Sequence, residues 1–108
     1  MPQPVPSVGR IVHYTLSEQD AVEINRRRAD FHAYVRDGGL REGTTGYVGH
    51  VGNHAQEGDV YPAMIVRRFH PDTTTVNLQV FLDGNDTYWA TSREQGAGAM
   101  HWAWPERV

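Results

Sequence analysis

The chain contains no cysteine, so it can build neither a disulfide framework nor a thiolate metal site, and nothing in it requires an oxidising compartment. No apolar run approaches the ~20 residues that span a bilayer, and the first residues, punctuated by Pro2, Pro4 and Pro6, lack the basic and apolar segments of a signal peptide. Neither secretion nor membrane association is expected. Lysine is also missing: all ten cations are arginine. The planar guanidinium fork suits phosphate or carboxylate recognition, although a GC-rich genome yields the same bias. A net charge of -3, from 10 basic and 13 acidic residues, provides no general attraction to nucleic acid, so none is expected as a partner. There is no phosphate-binding glycine loop, no Gly-x-Ser-x-Gly elbow, no HExxH and no thiol nucleophile, which leaves no familiar catalytic apparatus and no implied cofactor.

What is present is enough for one domain. A chain of 108 residues that is 39% hydrophobic and 21% charged is an ordinary globular composition. Residues 1–8 read as an irregular proline-rich arm and residues 9–108 as a single domain. The β-branched and aromatic stretch from Gly9 to Tyr14 predicts a first strand. Ser17 followed by Asp20 predicts a helix start, a serine cap with an acid at the third position, and the helix is expected over residues 17–37, ending before Gly38 and Gly39. Its apolar stripe is Ala21, Ile24, Phe31 and Val35, broken at Arg28, so at least one guanidinium of Arg26 to Arg28 should lie near the packed face. Otherwise these arginines read as a solvated face with pairs such as Glu23 to Arg27.

Residues 38–58 form a glycine-studded loop with weak strand character only around Tyr47 to Val51. Tyr61 to Phe69 predicts a second strand, with Pro62 confined to its start or to an edge. Thr75 to Leu82 alternates so that Val76, Leu78, Val80 and Leu82 share an inward face. Asp83 to Asp86 reads as a hairpin turn and not as a calcium loop, which would need more ligands. Thr87 to Ser92 and His101 to Trp104 complete the strands. The fold expected is mainly β with one inserted helix, either an SH3-like small barrel or a curled antiparallel sheet.

The pair His50 and His54 has i, i+4 spacing, but Gly49 and Gly52 make that segment a poor helix, and no metal is expected there. The aromatic residues carry the functional signal. Trp102 and Trp104 share one face of a strand, at least one of them in the core, while Tyr61, Tyr88 and Trp89 offer rings on which a flat ligand could stack. Arg67, Arg68, Arg93 and Arg107 could grip its phosphates.

The segments Gly9 to Tyr14 (GRIVHY), Leu16 to Asp20 (LSEQD), Asn77 to Val80 (NLQV) and the tail His101-Trp with Trp104-Pro-Glu-Arg together resemble small proteins of bacteriophages and prophages of actinobacterial type. The resemblance covers about two thirds of the chain and carries no catalytic motif. It implies a phage accessory or virion protein, and by analogy of size and context it suggests the oligomeric sponges that sequester nucleotide immune signals of bacterial defence. The expectation is a non-enzymatic, homo-oligomeric module in the cytoplasm of the infected host that holds a small nucleotide-like ligand. The alternatives are a virion structural or adaptor protein making protein–protein contacts, and a small barrel that binds nucleic acid.

Overall fold

A computed structural model describes residues 4–36 and 51–106. Strand β1 (Ile11–Thr15) is followed by helix α1 (Glu18–Arg36), then β2 (Val60–Arg68), β3 (Val76–Phe81), β4 (Thr87–Arg93) and the short β5 (Trp102–Ala103). The five strands form one antiparallel sheet in the order β4-β3-β2-β1-β5. The chain is thus mainly β with one inserted helix. Of the two architectures expected, the sheet is the curled one, not closed into a barrel. Just beyond β4 a single parallel bridge, Gln95 to Trp102, turns the sheet back toward β5: Trp102 N–H donates to Glu94 O at 3.2 Å and Gly96 N–H to Trp102 O at 2.9 Å.

The helix begins as its cap residues dictate. Asp20 N–H donates to Ser17 Oγ at 3.1 Å and Ser17 N–H to Asp20 Oδ2 at 3.0 Å, a reciprocal capping box. Alternation along β3 buries Val76, Leu78, Val80 and, just past the strand, Leu82, as expected. With Val12, Tyr14, Ala63, Ile65, Ala90 and Trp102 they make the sheet face on which Ala21 and Ile24 of α1 lie. Phe31 is half-buried, while the Val35 side chain, the expected helix stop at Gly38 and Gly39, His50 and the stretch Tyr47 to His50 fall outside the described residues. Val51 is described and is not in a strand.

Pro62 is in a central strand, β2, and not at an edge, but it lies near the strand's beginning, the other place expected for it: it faces His13 of β1, and the paired ladder to β3 starts only at Ala63. One expectation needs correction. The arginine run is a solvated helix face only at Arg26. Arg28 is 6% exposed, and its guanidinium donates to Asn53 O and, at 3.2 Å, to Asp86 Oδ1; Arg27 reaches Asp86 Oδ2 at 3.4 Å and Thr87 O at 3.2 Å. The helix is thereby tied to the Asp83 to Asp86 hairpin and to the end of the preceding loop. There Gly52 and Gly84 bridge so closely that a Cβ on Gly52 would lie 2.5 Å from Asp83 O and 2.6 Å from Arg28 Nη2.

Candidate functional site

Two surfaces of the sheet hold the residues singled out from the sequence, and they differ in kind. On the helix side, Asp20 is 1% exposed and is the centre of a polar cluster. It accepts from Tyr14 Oη, from Tyr88 Oη at 2.9 Å and from Arg93 Nη2 at 3.0 Å, in addition to the cap bond from Ser17. Arg93 Nε also donates to Tyr14 Oη at 2.7 Å, and Tyr88 Oη lies 2.9 Å from Glu23 Oε2. Burial works to raise the Asp20 carboxyl, but the hydrogen bonds from Tyr14, Ser17 and Tyr88, with the Arg93 charge, outweigh it and hold the group below the usual carboxylate range. Burial, then hydrogen bonding to Asp20, pushes the Tyr14 phenol well above its ordinary value. Burial, then the Asp20 charge, does the same to Tyr88. Each member is therefore satisfied by the others in a fixed protonation state, as a structural network requires.

Arg93 enters this cluster through a backbone irregularity. Strict alternation from Tyr88 and Ala90 would send residue 93 to the opposite face. Between Leu78 paired with Ala90 and Val76 paired with Arg93 the register slips, Ser92 adopts φ 56°, and its N–H donates to Asn77 Oδ1 at 2.8 Å. The bulge re-aims Arg93 inward.

The other predicted ligand residues are dispersed. Trp102 is fully buried, with its Nε1 donating to Thr74 O at 3.0 Å. Trp104 packs edge-on against it at 5.3 Å and carries Arg10 over its ring at 5.3 Å; its own Nε1 is buried and has no partner among the described residues. Tyr61 is half-buried beside the core with its hydroxyl on Asp59 at 3.3 Å. Arg67 stacks over Phe69 at 4.9 Å, and Arg68 donates to Pro71 O at 2.7 Å. Arg107 falls outside the described residues. Tyr88, Arg93 and Trp102 thus lie on the helix side of the sheet, while Trp89, 61% exposed, and Arg67, opposite Asn77, lie on the outward side.

That outward side is the feature the sequence reading missed. Across four strands, Ile11, Met64, Gln79 and Trp89 stand in register as one row. A second row contains Ala103, His13 and Pro62, with Phe81 opposite Thr87 on the far strands. Ile11, Val60, Val66, Phe81 and Trp89 are each more than a third exposed. Among the described residues one charged side chain, Arg67, occupies an outward strand position, opposite Asn77 at the end of β2; the rest of that face has no Asp, Glu or Arg, in a chain that is 21% charged. Exposed sheet faces ordinarily alternate to polar residues. The signal was available as the complement of the inward set on β3, where Gln79 and Phe81 carry no charge.

One open groove of about 580 Å³ lies at the start of α1, lined by Glu18, Val22, Glu23, Arg26, Glu57 and Met100 among others. Its three carboxylates against a single guanidinium make it unsuited to phosphate. Among the described residues no cluster of three His, Asp or Glu could hold a metal ion, and no helix is long and apolar enough to cross a membrane. Compared with protein-family models, curated proteins and solved structures, the chain matches none.

Proposed function

We propose that this chain is a non-enzymatic contact module whose working surface is the outward, largely uncharged face of its sheet. The observation that carries this reading is the row Ile11–Met64–Gln79–Trp89 on a face whose one charged strand residue is Arg67, at the end of β2. Ile11, Phe81, Trp89 and their neighbours present roughly 400 Å² of apolar side chain, the scale at which an exposed patch marks an interaction site. The reading belongs with the structural or adaptor role.

It is favoured over the nucleotide-binding role by the disposition of the arginines. Arg93 is committed to Asp20 and Tyr14 and Arg68 to Pro71, while Arg67, which shares the face of Trp89, is stacked on Phe69 and stands opposite Asn77, outside the Gln79–Trp89 row. Calorimetry with a panel of linear and cyclic nucleotides tests the choice. The contact reading expects no saturable heat from any of them. Saturable heat of one ligand per chain, lost in Trp89→Glu, would overturn it and restore the ligand-binding role.

A further inference from the structure

We propose that two guanidiniums close the free edge of β4 to strand addition, so that a partner of this chain is received on a face of the sheet and not at its rim. An edge strand offers a row of unpaired N–H and C=O groups to any extended segment that meets it. In the sheet of the described residues the two rims are β4 and β5. The β5 rim is closed by the chain itself. That strand has two residues, and the Trp102 N–H and C=O are taken by Glu94 and Gly96. Continuing the pairing of His13 with Ala103 brings Pro105, which has no N–H, opposite Ile11.

The β4 rim is seven residues long and needs another device. Leu82 N–H donates to Asp86 O at 3.4 Å, and the same register pairs Val80 with Tyr88 and Leu78 with Ala90. Hydrogen-bonded pairs alternate along an antiparallel ladder, so Tyr88 and Ala90 bond to β3, while Thr87, Trp89 and Thr91 turn their backbone N–H and C=O groups to the rim.

Two of those three carbonyls are occupied by side chains. Arg27 Nη2 donates to Thr87 O at 3.2 Å, and Arg93 Nη1 donates to Thr91 O at 2.7 Å. Each guanidinium is also held by a carboxylate, Arg27 by Asp86 at 3.4 Å and Arg93 by Asp20 at 3.0 Å, so neither swings aside without breaking an ion pair. Arg27 lies besides over the Tyr88 ring at 5.7 Å, which keeps it along the strand. A guest strand would have to place its own amides where these guanidiniums stand. Of the three residues Trp89 alone keeps a carbonyl without a side-chain donor, and one residue does not hold an added strand, whose bonds fall on alternate residues along its length.

Backbone amide hydrogen exchange resolved by residue, with sedimentation velocity over a wide concentration range, provides the test. In the wild type the Trp89 amide should exchange at least about 100-fold faster than those of Tyr88 and Ala90 at every concentration. A Trp89 amide protected as strongly as its two neighbours overturns the proposal without any variant. Arg27→Met keeps an apolar stem over Tyr88 and removes the donor at Thr87 O. It should associate beyond the wild type as concentration rises, with exchange at Trp89 slowed at least about 10-fold in the associated state. Thr87→Pro, added to that variant, sets a ring at the rim and costs no bond to β3, so both readouts should return to their wild-type values. An Arg27→Met chain that sediments as the wild type does, or an association that Thr87→Pro leaves standing, overturns the proposal. Nucleotide heat at Trp89 would sink the contact reading and leave the closed rim intact.

Discussion

Replacing Asp20 by alanine tests whether the cluster on the helix side is a structural device. The carboxylate caps α1, neutralises Arg93, whose side chain is 14% exposed, and accepts from two buried phenols. Loss of the cap alone costs about 1 kcal/mol. Leaving Arg93 buried without its counter-ion, and Tyr14 without its acceptor, brings the expected total to about 3–5 kcal/mol. Against a typical domain stability of about 5–15 kcal/mol, that is most of the margin. Ser17→Ala is the control, because it removes the hydroxyl that accepts from Asp20 N–H and leaves the carboxylate network in place; it should cost about 1 kcal/mol. Urea denaturation followed by tryptophan fluorescence gives both values. If Asp20→Ala proves no worse than Ser17→Ala, the network contributes nothing beyond the cap and the argument fails. The same cluster sets a pH window. The folded Asp20 value lies below the unfolded one, so its contribution is complete above the ordinary carboxylate range and is lost as pH falls below about 4. Tyr14 and Tyr88 are raised, so theirs is complete below about pH 10 and is lost as pH climbs through the raised values. Asp20→Asn should flatten the Asp20 part of the acid limb; an unchanged limb would mean that other carboxylates govern it.

Three further outcomes are expected from thermal denaturation. Gly84→Ala should cost at least about 2 kcal/mol, since the new Cβ would meet the backbone of Val51 and lie 2.7 Å from Gly52 Cα. Gly96→Ala should be milder, because its nearest contact, at 3.0 Å, is the His101 side chain, which can move; equal losses would count against the close backbone approach. Arg28→Ala should cost about 2–4 kcal/mol by leaving Asp86 and Asn53 O short of a donor, while exposed Arg26→Ala should change stability by less than about 0.5 kcal/mol. Trp102→Phe should be destabilising by about 2 kcal/mol through the lost volume and the lost bond to Thr74 O, and Trp104→Phe should be much closer to neutral, its Nε1 making no bond to lose.

The legibility of this chain follows the range of the forces involved. The strands and the helix were written in local pattern: Val76 to Leu82 alternates because a pleated strand has period two, and Ser17 with Asp20 is a cap whose partners are three residues apart. The burial of Arg28 was readable as the break in the apolar stripe. Its partners were not, because Asp86 and Asn53 are brought to it by a hairpin and a loop far along the chain. Arg93 shows the limit most clearly. Alternation assigns it the outward side, and only a register slip opposite Asn77, a matter of pairing between β3 and β4, reverses that assignment. Pro62 is the same case, since its tolerance depends on where a neighbouring ladder begins.

A sequence scan for function searches for residues that are there, such as rings, guanidiniums and histidines, and most of the residues it found in this chain are occupied in holding the fold together. The arginines tie α1 to its hairpin and neutralise Asp20, the Tyr88 hydroxyl stands between the carboxylates of Asp20 and Glu23, and Trp102 fills the core. The outward face is distinguished by what its strands leave out. A charged residue there would cost an exposed sheet nothing and would protect it from edge and face association, yet among the described strand residues only Arg67 stands on that side. Such an omission is visible only once register has sorted each strand into two faces, because along the chain the uncharged outward residues are interleaved with the core. Thr87-Tyr-Trp-Ala-Thr91 reads as one polar and aromatic strand, but Tyr88 serves the interior and Trp89 faces the opposite way, so a single residue step separates the part that stabilises from the part that makes contact.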